Sequence, residues 1–402
     1  MHVALWSPAW PVEKHHNGIV TYVHWMKREL ERQGHHVSVF TSGLPSELDG
    51  PDVHRVARDF LGSMARRMAG RLFSSDTDVF RWGRLVAKAM LRVHRRNPID
   101  IIEMEESFGW FADVARLTSI PLLVKLHGPA FLSLVDEELA TQFGSERVVR
   151  EGSALARAEA IASPCAITLT QTVDRYGLRP ALAQHVVNPM AAGSDWPLWV
   201  SNACDRNTLL FVGRFDSRKG GDLVIKAFAR LIETRPELKL IFVGPDRGLL
   251  QSDGTRTSVV DFIAATVPHH MLERIEFRGP LPQEEISALR CRAAVTMLAS
   301  RWENQGYTAL EAMWQGCPVV SSDAGGCPEI IEHGRTGLLA RTGDAADLAA
   351  QLARMMDDPL AAAKMGARAR SHVTEHHAPE AVTVQSVALY REVVEHHRRA
   401  AR

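Results

Sequence analysis

Short apolar segments alternate with helical patterns along the chain. The first, "HVALWS" (2–7), precedes a helix whose apolar residues recur at helical spacing from Ile19 to Leu30 and which Gly34 ends. Further strands are predicted at 35–42, 99–104, 121–128 and 185–188, with helices near 78–96, 108–118 and 145–162. Strands that alternate with helices form parallel βαβ units, so this series predicts a doubly wound sheet.

The alternation starts again after a turn-rich stretch at 188–207, which we interpret as a linker. The second series predicts a helix near 221–234 and strands at 208–213, 238–244, 274–279, 293–300, 318–323 and 336–340. The tail from about 344 to 402 is predicted to be helical, with a break at Ala378-Pro379. We therefore predict an α/β protein with two Rossmann-like, doubly wound parallel-sheet domains that face each other across a cleft, with ligands at the carboxyl ends of the strands.

Composition is that of an ordinary globular protein and gives no sign of nucleic acid as a partner. Hydrophobic residues make up 46% of the 402 residues, and Lys+Arg and Asp+Glu both count 47. One basic stretch, 53–96, carries eleven Lys or Arg against three Asp. It is either the solvated side of two helices or a patch for an anionic membrane surface or a charged acceptor.

The cysteines and the N-terminus bear on the cellular setting. The five cysteines are scattered and form no C-x-x-C pair, which favours reduced thiols in the cytosol. The N-terminus lacks a signal-peptide pattern, and no apolar run approaches 18 residues. We expect a cytoplasmic protein that is at most peripheral to a membrane.

The segment "FVGRFDSRKGGDLVIKAF" joins a predicted strand, which ends at Gly213, to a helix that begins near Gly221. Arg214 and Lys219 lie in the turn between them. A helix N-terminus with two cations is a site for an anion, and a diphosphate fits it. The alternative is an ordinary βα turn with two surface cations.

The segment "SRWENQGYTALEAMWQG" (300–316) places Glu303 in a loop and Glu311 in the first turns of a helix that begins near Tyr307 or Thr308. Even on one continuous helix the two glutamates would lie about 80° apart around the axis, so a catalytic pair is disfavoured. Two contacts along one extended ligand fit better, with the free helix N–H groups near Gly306 to Ala309 between them. The alternative is an acidic turn that stabilises the helix dipole.

Two further positions follow predicted strands. His127 ends the strand of "LLVKLHGPAF", where its side chain could position a hydroxyl of a substrate by hydrogen bonding. Asn17-Gly18 precedes the first helix, where Gly18 would let the backbone approach a ligand, although a plain start of a helix needs no function.

No metal site is expected. "SSDTD" (74–78) contains Asp-x-Asp, but it follows no clear strand, and capping of the next helix by Asp76 or Asp78 explains it better. The His-His pairs of the chain lack a Cys or carboxylate at metal-ligand spacing.

Together these motifs resemble those of retaining glycosyltransferases of family four, the glycosyl transferases group 1, which have the GT-B architecture. The resemblance covers nearly the whole chain and is strongest from Gly213 to Ala340. It rests on three motifs in order: "GRFDSRKG", the Glu303-x7-Glu311 spacing followed by "LEAM-x-x-G-x-P-V-V-x-S", and "GGCPEIIEHGRTGLLA" (325–340).

The resemblance implies a role for each matching position. Arg214 and Lys219 would bind the donor diphosphate and stabilise the leaving group, Glu303 would contact the donor sugar, and Glu311 the ribose. His127 would lie near the reacting sugar, so that His127, Arg214, Lys219 and Glu303 form the expected catalytic set. The other expected donor contacts are Asn17, Gly18, Gly213, Gly244, Arg278 beside the nucleobase, Asn304, Gln305, and the backbone of Gly306, Tyr307 and Thr308.

Three departures from the family pattern bear on specificity. The usual Gly-Gly loop is Asn17-Gly18, which adds a side chain beside the donor or acceptor. Asn304-Gln305 replaces the usual Gly-Phe after Glu303, which would change the sugar that is selected. "IIEMEESFGW" carries three carboxylates near a strand end, and we expect Glu105 or Glu106 to touch the acceptor.

The resemblance implies front-face transfer from a UDP- or GDP-sugar to a glycan, lipid-linked or small-molecule acceptor, with no cofactor and no metal ion. It divides the chain into an acceptor domain (1–190), on which the C-terminal helix (about 380–402) packs, and a donor domain (191–379). A sugar-nucleotide epimerase or hydrolase on the same fold is one alternative, and a non-catalytic sugar-nucleotide-binding protein is another.

Overall fold

The computed structural model describes residues 1–15, 17–43, 51–56, 82–191, 196–251, 254–400 and 402. These residues form two compact units, one of 1–189 with 379–402 and one of 190–378. The boundaries predicted from the sequence, 190 and 379, differ from these by one residue. Most of the basic stretch and all of "SSDTD" lie outside the described residues.

The first unit contains a seven-stranded parallel sheet in the order β3-β2-β1-β4-β5-β6-β7. Its strands are β1 His2–Ala9, β2 His36–Gly43, β3 Val53–Arg55, β4 Ile101–Glu105, β5 Leu122–Lys125, β6 Ala160–Ser163 and β7 Leu182–His185. The central strands β4, β5 and β6 are buried throughout, as parallel strands covered on both faces must be.

The second unit repeats this topology with a six-stranded parallel sheet in the order β12-β9-β8-β13-β14-β15. Its strands are β8 Asp205–Val212, β9 Lys239–Val243, β12 Ile275–Gly279, β13 Ala293–Leu298, β14 Val319–Ser322 and β15 Leu338–Ala340; β10 Leu249–Leu250 and β11 Arg256–Thr257 form a separate antiparallel pair. Alternate residues of β8 enter different apolar clusters, Leu209 and Phe211 on one side and Leu210 on the other.

Helices connect the strands, as the alternation in the sequence predicts. They are α1 Gly18–Arg32, α2 Trp82–His94, α3 Trp110–Thr118, α4 Ala130–Ser133, α5 Asp136–Leu139, α6 Gln142–Leu155, α7 Ala166–Tyr176, α8 Gly221–Ile232, α9 Val259–Thr266, α10 Gln283–Arg292, α11 Tyr307–Trp314, α12 Cys327–Ile330, α13 Ala345–Asp357, α14 Pro359–His376 and α15 Pro379–Ala400, with short 3₁₀ turns at Val12–Lys14, Ser107–Gly109 and His269–Arg274. The predicted break at Ala378-Pro379 separates α14 from α15.

Two predicted elements are wrong in their bounds. The helix expected over 145–162 ends at Leu155, because the apolar run after it forms β6 between β5 and β7. Ala-rich sequence favours a helix, but pairing with two strands overrides that preference. The strand expected at 185–188 lies at Leu182–His185, where alternate residues are exposed at the edge of the sheet.

Helix α15 packs on the first unit through a buried carboxylate. Glu103 in β4 accepts hydrogen bonds from the hydroxyls of Tyr22 in α1 and Tyr390 in α15, both at 2.8 Å. Burial raises the pKa of Glu103, against the charge of Lys125 and the two hydroxyls. These bonds hold the C-terminal segment to the sheet of the first unit, although the whole second unit (190–378) lies between them in the sequence.

Replacing Tyr390 with phenylalanine should lower the free energy of unfolding of the first unit by about 1–3 kcal/mol, because a buried acceptor on Glu103 loses its donor. Urea unfolding would measure the loss, with Val384→Ala on the exposed face of the same helix as the control. A Tyr390→Phe variant as stable as the Val384→Ala control would contradict this role.

No helix in the described ranges combines the length and apolar character that a membrane crossing requires.

Candidate functional site

Several predicted site residues follow the strands at which the order of each sheet reverses, among them Arg214 and Lys219 after β8 and Glu303 after β13. In the first sheet the reversal lies between β1 and β4, and in the second between β8 and β13. Doubly wound sheets bind ligands outside the carboxyl ends of their strands at such a point. The turns after β1 and β4 in the first unit, and after β8 and β13 in the second, are therefore the candidate surfaces. His127 follows β5, the strand next to β4.

An aspartate orders the turn after β8. Asp216 accepts a hydrogen bond from Nε of Arg214 (2.6 Å) and another from the backbone N–H of Lys219 (2.7 Å). Arg214 and Lys219 thus lie ahead of α8, where the sequence places them. Asp216 was not singled out, although a carboxylate between two cations in one turn is a signal that could have found it.

Lys219 forms an ion pair with Glu303, which is buried. The hydroxyl of Ser300 also donates to Glu303 Oε2 (3.2 Å). Burial by itself raises the pKa of Glu303, but the charges of Lys219 and Arg218 and the two hydrogen bonds outweigh it, so the pKa lies below its ordinary value. Glu303 is therefore an ionised carboxylate beside a cation.

Arg301, a residue the sequence analysis missed, fixes the loop after β13 against the turn after β8. Its guanidinium forms a bidentate pair with Asp222 in α8 (both 2.8 Å) and donates to the Ser217 carbonyl (2.5 Å). Its backbone N–H donates to the Arg218 carbonyl (2.8 Å). Fork-to-fork geometry of this kind fixes direction as well as distance. The segments that carry Lys219 and Glu303 are thereby held together.

Glycines allow close backbone approaches around these segments. Gly244, with φ of +139°, lies so near the end of β8 that a Cβ on it would be 2.0 Å from the Gly213 carbonyl oxygen. A Cβ on Gly325, with φ of +53°, would be 2.1 Å from the Glu303 carbonyl, which also accepts the Gly326 N–H (2.9 Å). The "GG" of the third sequence motif thus supports the backbone of Glu303.

Between Glu303 and α11 the chain is largely buried. The side chains of Asn304 and Gln305 are only 7% and 6% exposed. Their predicted role in selecting the sugar is not tested by this geometry and stays a prediction.

Helix α11 begins at Tyr307 with Gly306 as its N-cap. Helix geometry leaves the N–H groups of Gly306, Tyr307 and Thr308 without an intrahelical acceptor. The Ala309 N–H is not free, because it donates to the Gly306 carbonyl (3.0 Å). The free N–H groups, predicted from the sequence to run from Gly306 to Ala309, therefore end at Thr308. Burial raises the pKa of Tyr307 well above its ordinary value, and the charge of Glu311 adds to this effect.

Glu311 is held by an arginine that sequence reasoning missed. Arg290 in α10 forms an ion pair with Glu311 Oε2, and the side chain of Arg290 is fully buried, whereas that of Glu311 is 16% exposed. Nε and Nη1 of Arg290 have no hydrogen-bond partner among the described residues. The carboxylate of Glu311 is therefore the counter-ion of a buried cation and keeps a partly accessible side.

Arg278, expected beside a nucleobase, pairs along β12 with Glu276 (2.8 and 3.0 Å). Both side chains are partly exposed, and alternate residues of a strand share a face. Contact with a base stays a prediction.

In the first unit, Asn17 is the N-cap of α1. Its side-chain oxygen accepts the Ile19 N–H (2.8 Å), and its carbonyl accepts the Thr21 N–H (3.0 Å). Both Asn17 and Gly18 are exposed. Capping explains the choice of Asn at this position, while the donor contact predicted for Asn17-Gly18 stays a prediction.

His127 follows β5, and its ring packs edge-on against Tyr22 with centroids 4.9 Å apart. Burial lowers the pKa of His127 to about 3, with a further contribution from the charge of Lys125. The imidazole is therefore neutral across the physiological range, so it can exchange hydrogen bonds with a hydroxyl but supplies no positive charge.

The acceptor contact expected for Glu105 or Glu106 concerns two buried side chains. Glu105 is 6% exposed and accepts the Ser107 N–H (3.0 Å), while Glu106 is fully buried and accepts the N–H groups of His127 and Gly128. Backbone donors occupy these carboxylates in the interior of the first unit, and the acceptor contact stays a prediction.

Comparisons with known proteins find family matches in both units. The family described as "Glycosyl transferases group 1" matches residues 200–372, and the family described as "Glycosyl transferase 4-like domain" matches residues 17–189. Glycogen synthase of Mycobacterium tuberculosis (strain CDC 1551 / Oshkosh) is 27% identical over 401 residues, which cover 93% of this chain and 90% of that protein.

Solved structures share the fold over nearly the whole chain. Sucrose-phosphate synthase from Thermosynechococcus elongatus superposes with a TM-score of 0.76 at 23% identity and covers 98% of both chains. Alr3699/HepE of Anabaena, solved in complex with UDP and glucose, superposes with a TM-score of 0.69 at 18% identity and covers 98% of this chain and 100% of that one.

Each family match lies within one of the two units, 17–189 in the first and 200–372 in the second, and the shared fold spans both. The chain therefore belongs to the glycosyl transferases group 1 and is a glycosyltransferase with the GT-B fold.

Proposed function

We propose that this protein transfers a hexosyl group from a nucleoside-diphosphate sugar, UDP- or GDP-linked, to an acceptor nucleophile with retention of configuration. The observation that carries the proposal is the ionised Glu303 paired with Lys219 at the switch point of the second unit. At this point a carboxylate, which can accept hydrogen bonds from sugar hydroxyls, lies beside cations that can bind phosphate. Alr3699/HepE, of the same fold, was solved with UDP and glucose, which supports a donor of this class.

The second unit contains a polar or charged group for each part of such a ligand. Arg214 and Lys219 would bind the diphosphate together with the N–H groups at the start of α11. Glu303 would accept hydrogen bonds from the sugar, and Glu311, whose position Arg290 fixes, from the ribose. The loop of Glu303 and the turn of Lys219 are tied together by Arg301, so the two contacts are pre-organised.

Retention by double displacement would require a carboxylate nucleophile. Glu303 is a poor candidate, because its Oε2 is already engaged by Lys219 and Ser300. We therefore propose front-face displacement: the bond from the anomeric carbon to the diphosphate breaks, the acceptor oxygen attacks from the same side, and a leaving-group oxygen takes the acceptor's proton. Stabilisation of the departing diphosphate by Arg214 and Lys219 is then the main catalytic contribution. Neutral His127 would hydrogen-bond the reacting sugar.

The acceptor is a glycan, a lipid-linked glycan or a small molecule, in polysaccharide or natural-product biosynthesis. Similarity to a glycogen synthase favours a carbohydrate acceptor. A cytoplasmic location and a peripheral contact with a membrane through the basic stretch stay predictions from the sequence.

A panel of nucleotide sugars, read by thermal shift and then by transfer, tests the proposal. The matching donor should raise the unfolding midpoint, since a ligand at 100 times its Kd stabilises the native state by about 2.7 kcal/mol. With that donor alone the sugar nucleotide should persist, and transfer should start when acceptor is added. Conversion of the donor without acceptor would instead identify an epimerase or hydrolase, and binding without any conversion a non-catalytic protein.

Transfer at saturating donor should continue in the presence of a chelator, because arginine and lysine are expected to neutralise the diphosphate. The measurement compares initial rates with and without EDTA, and with Mg²⁺ restored in excess. Loss of turnover with EDTA and its recovery with Mg²⁺ would contradict the metal-independent mechanism.

A further inference from the structure

Two buried carboxylates hold the backbone of the loop that carries His127. Glu106, at the end of β4, accepts the N–H of His127 at 2.8 Å and that of Gly128 at 2.7 Å. Glu151, in α6, accepts the N–H of Ala130 at 2.7 Å. Pro129 has no N–H, so every backbone donor from His127 to Ala130 ends on one of these two side chains.

The second carboxylate also anchors the chain that follows β4. Glu151 accepts the Phe108 N–H (3.1 Å) and pairs with Nε of Arg147 (2.7 Å). Phe108 has a φ of +60°, a left-handed conformation that a bulky residue adopts only where its surroundings impose it. Glu106 and Glu151 thus bind the loops that follow β4 and β5, and both side chains are fully buried.

Burying three carboxylates close together destabilises the folded state unless other groups compensate for it. Three carboxylates, Glu105, Glu106 and Glu151, lie around the guanidinium of Arg147. Removing ionisable groups from water destabilises the charged form, and unpaired backbone N–H groups can be satisfied by neutral side chains or by water. A carboxylate differs from these groups because its two oxygens accept from two successive N–H groups at once. It thereby fixes the direction of the His127 side chain.

We propose that Glu106 and Glu151 are positioning residues for His127, which fix the loop so that the imidazole meets the reacting sugar in one orientation. The inference rests on the proposed function, in which His127 contacts that sugar. It assigns the carboxylates of this segment to the geometry of the catalytic loop instead of to acceptor binding.

Because Glu106 titrates, the proposal predicts that the hold on the loop depends on pH. Burial, and next the charges of Glu105 and Glu151, raise the pKa of Glu106 to about 8. The folded state then keeps a proton that the unfolded state releases near the ordinary value, so this group's contribution to stability declines as pH rises toward 8. The ionised form offers two oxygen acceptors, so the loop should be held most firmly above that pH. The groups that face this region are Glu105, Glu151, Arg147 and Tyr176 around Glu106, and Lys125 beside the His127 ring.

The Glu106→Gln variant tests the proposal, since an amide keeps the shape but turns one acceptor into a donor. We expect kcat to fall by about 10- to 100-fold with little change in the donor KM, the range for a misplaced reacting group. Amide exchange of the peptide that spans residues 127–130 should accelerate. In the wild-type protein, ionisation of Glu106 should raise kcat between about pH 7 and pH 9. This rise should be absent from the variant. Glu137→Gln, an exposed glutamate of α5, is the matched control.

Wild-type kcat in a folded Glu106→Gln variant, or a fall in kcat without faster exchange at 127–130, would overturn the proposal. If that variant does not fold, Glu106→Asp, which keeps the charge but is one methylene shorter, should show the same loss of kcat and protection, and wild-type values there would refute the role. If the wild-type protein transfers no sugar from any donor, the proposed function fails, while the exchange measurement still decides whether Glu106 holds the loop.

Discussion

The Glu303→Gln variant is expected to fold normally and to lose about 100- to 1,000-fold in kcat/KM for sugar transfer, the range for removing one charged contact from a reacting centre. Glutamine keeps the size of the side chain and can still accept from Ser300 Oγ, so the loop after β13 should keep its shape. It cannot neutralise Lys219, whose charge would then lack the partner that orients it. The sugar would also lose an ionised acceptor for its hydroxyls.

Initial rates over a range of donor concentrations would separate the two parts of this loss. A rise in KM reports weaker binding of the donor, and a fall in kcat reports a contact made in the transition state. Glu284→Gln, an exposed glutamate in α10, is the control for substituting a glutamate in this unit. A folded Glu303→Gln variant with the kcat/KM of that control would remove Glu303 from the site and would undermine the observation on which the proposed function stands.

Much of the fold is predictable because parallel sheets leave a strong local pattern. The strands β8, β9, β12, β13, β14 and β15 all fall on apolar runs that the sequence marks, and the second sheet is the better predicted of the two. Failures occur where a segment's own preference opposes its partners. The Ala-rich run at Ala160–Ser163 has helical composition, yet it forms β6 because strands on both sides pair with it.

The positions of the candidate site residues were predictable where those residues lie in one short segment. Arg214, Lys219, Glu303 and Glu311 lie in motifs a few residues long, and the structure places each after the predicted strand or in the predicted helix. Their partners were not predictable, because the pairs join residues far apart in the chain: Arg301 with Asp222 and Arg290 with Glu311. In the sequence, Arg301 and Arg290 cannot be distinguished from arginines that are exposed.

The burial of Glu105 and Glu106 could not be predicted from the sequence. Three carboxylates at a strand end look alike in a sequence whether they face a ligand or the interior. Tertiary packing decides between the two, and here α6 covers the end of β4 and brings Glu151 and Arg147 to the same place. Four backbone N–H groups, those of Phe108, His127, Gly128 and Ala130, converge on Glu106 and Glu151, and that convergence is visible only in three dimensions.

Replacing Arg290 with methionine is expected to lower the free energy of unfolding of the second unit by about 3–5 kcal/mol, because breaking a buried ion pair from one side leaves the other charge uncompensated. The partial exposure of Glu311 places the expected value at the lower end of that range. Without its guanidinium partner Glu311 should also lose its fixed direction toward the ribose. The donor KM should then rise by about tenfold, in keeping with loss of a hydrogen bond to a charged group.

The double variant Arg290→Met with Glu311→Leu separates these two effects. Apolar side chains of similar volume replace a buried ion pair at little or no cost, so the stability lost in the single variant should largely return, as urea unfolding would show. The weak donor binding should persist, because the carboxylate itself is gone. Arg292→Met, an exposed position two residues farther along α10, is the matched control. Full stability in the Arg290→Met variant would mean that the pair does not support the unit, and wild-type donor binding in the double variant would exclude Glu311 from the donor site.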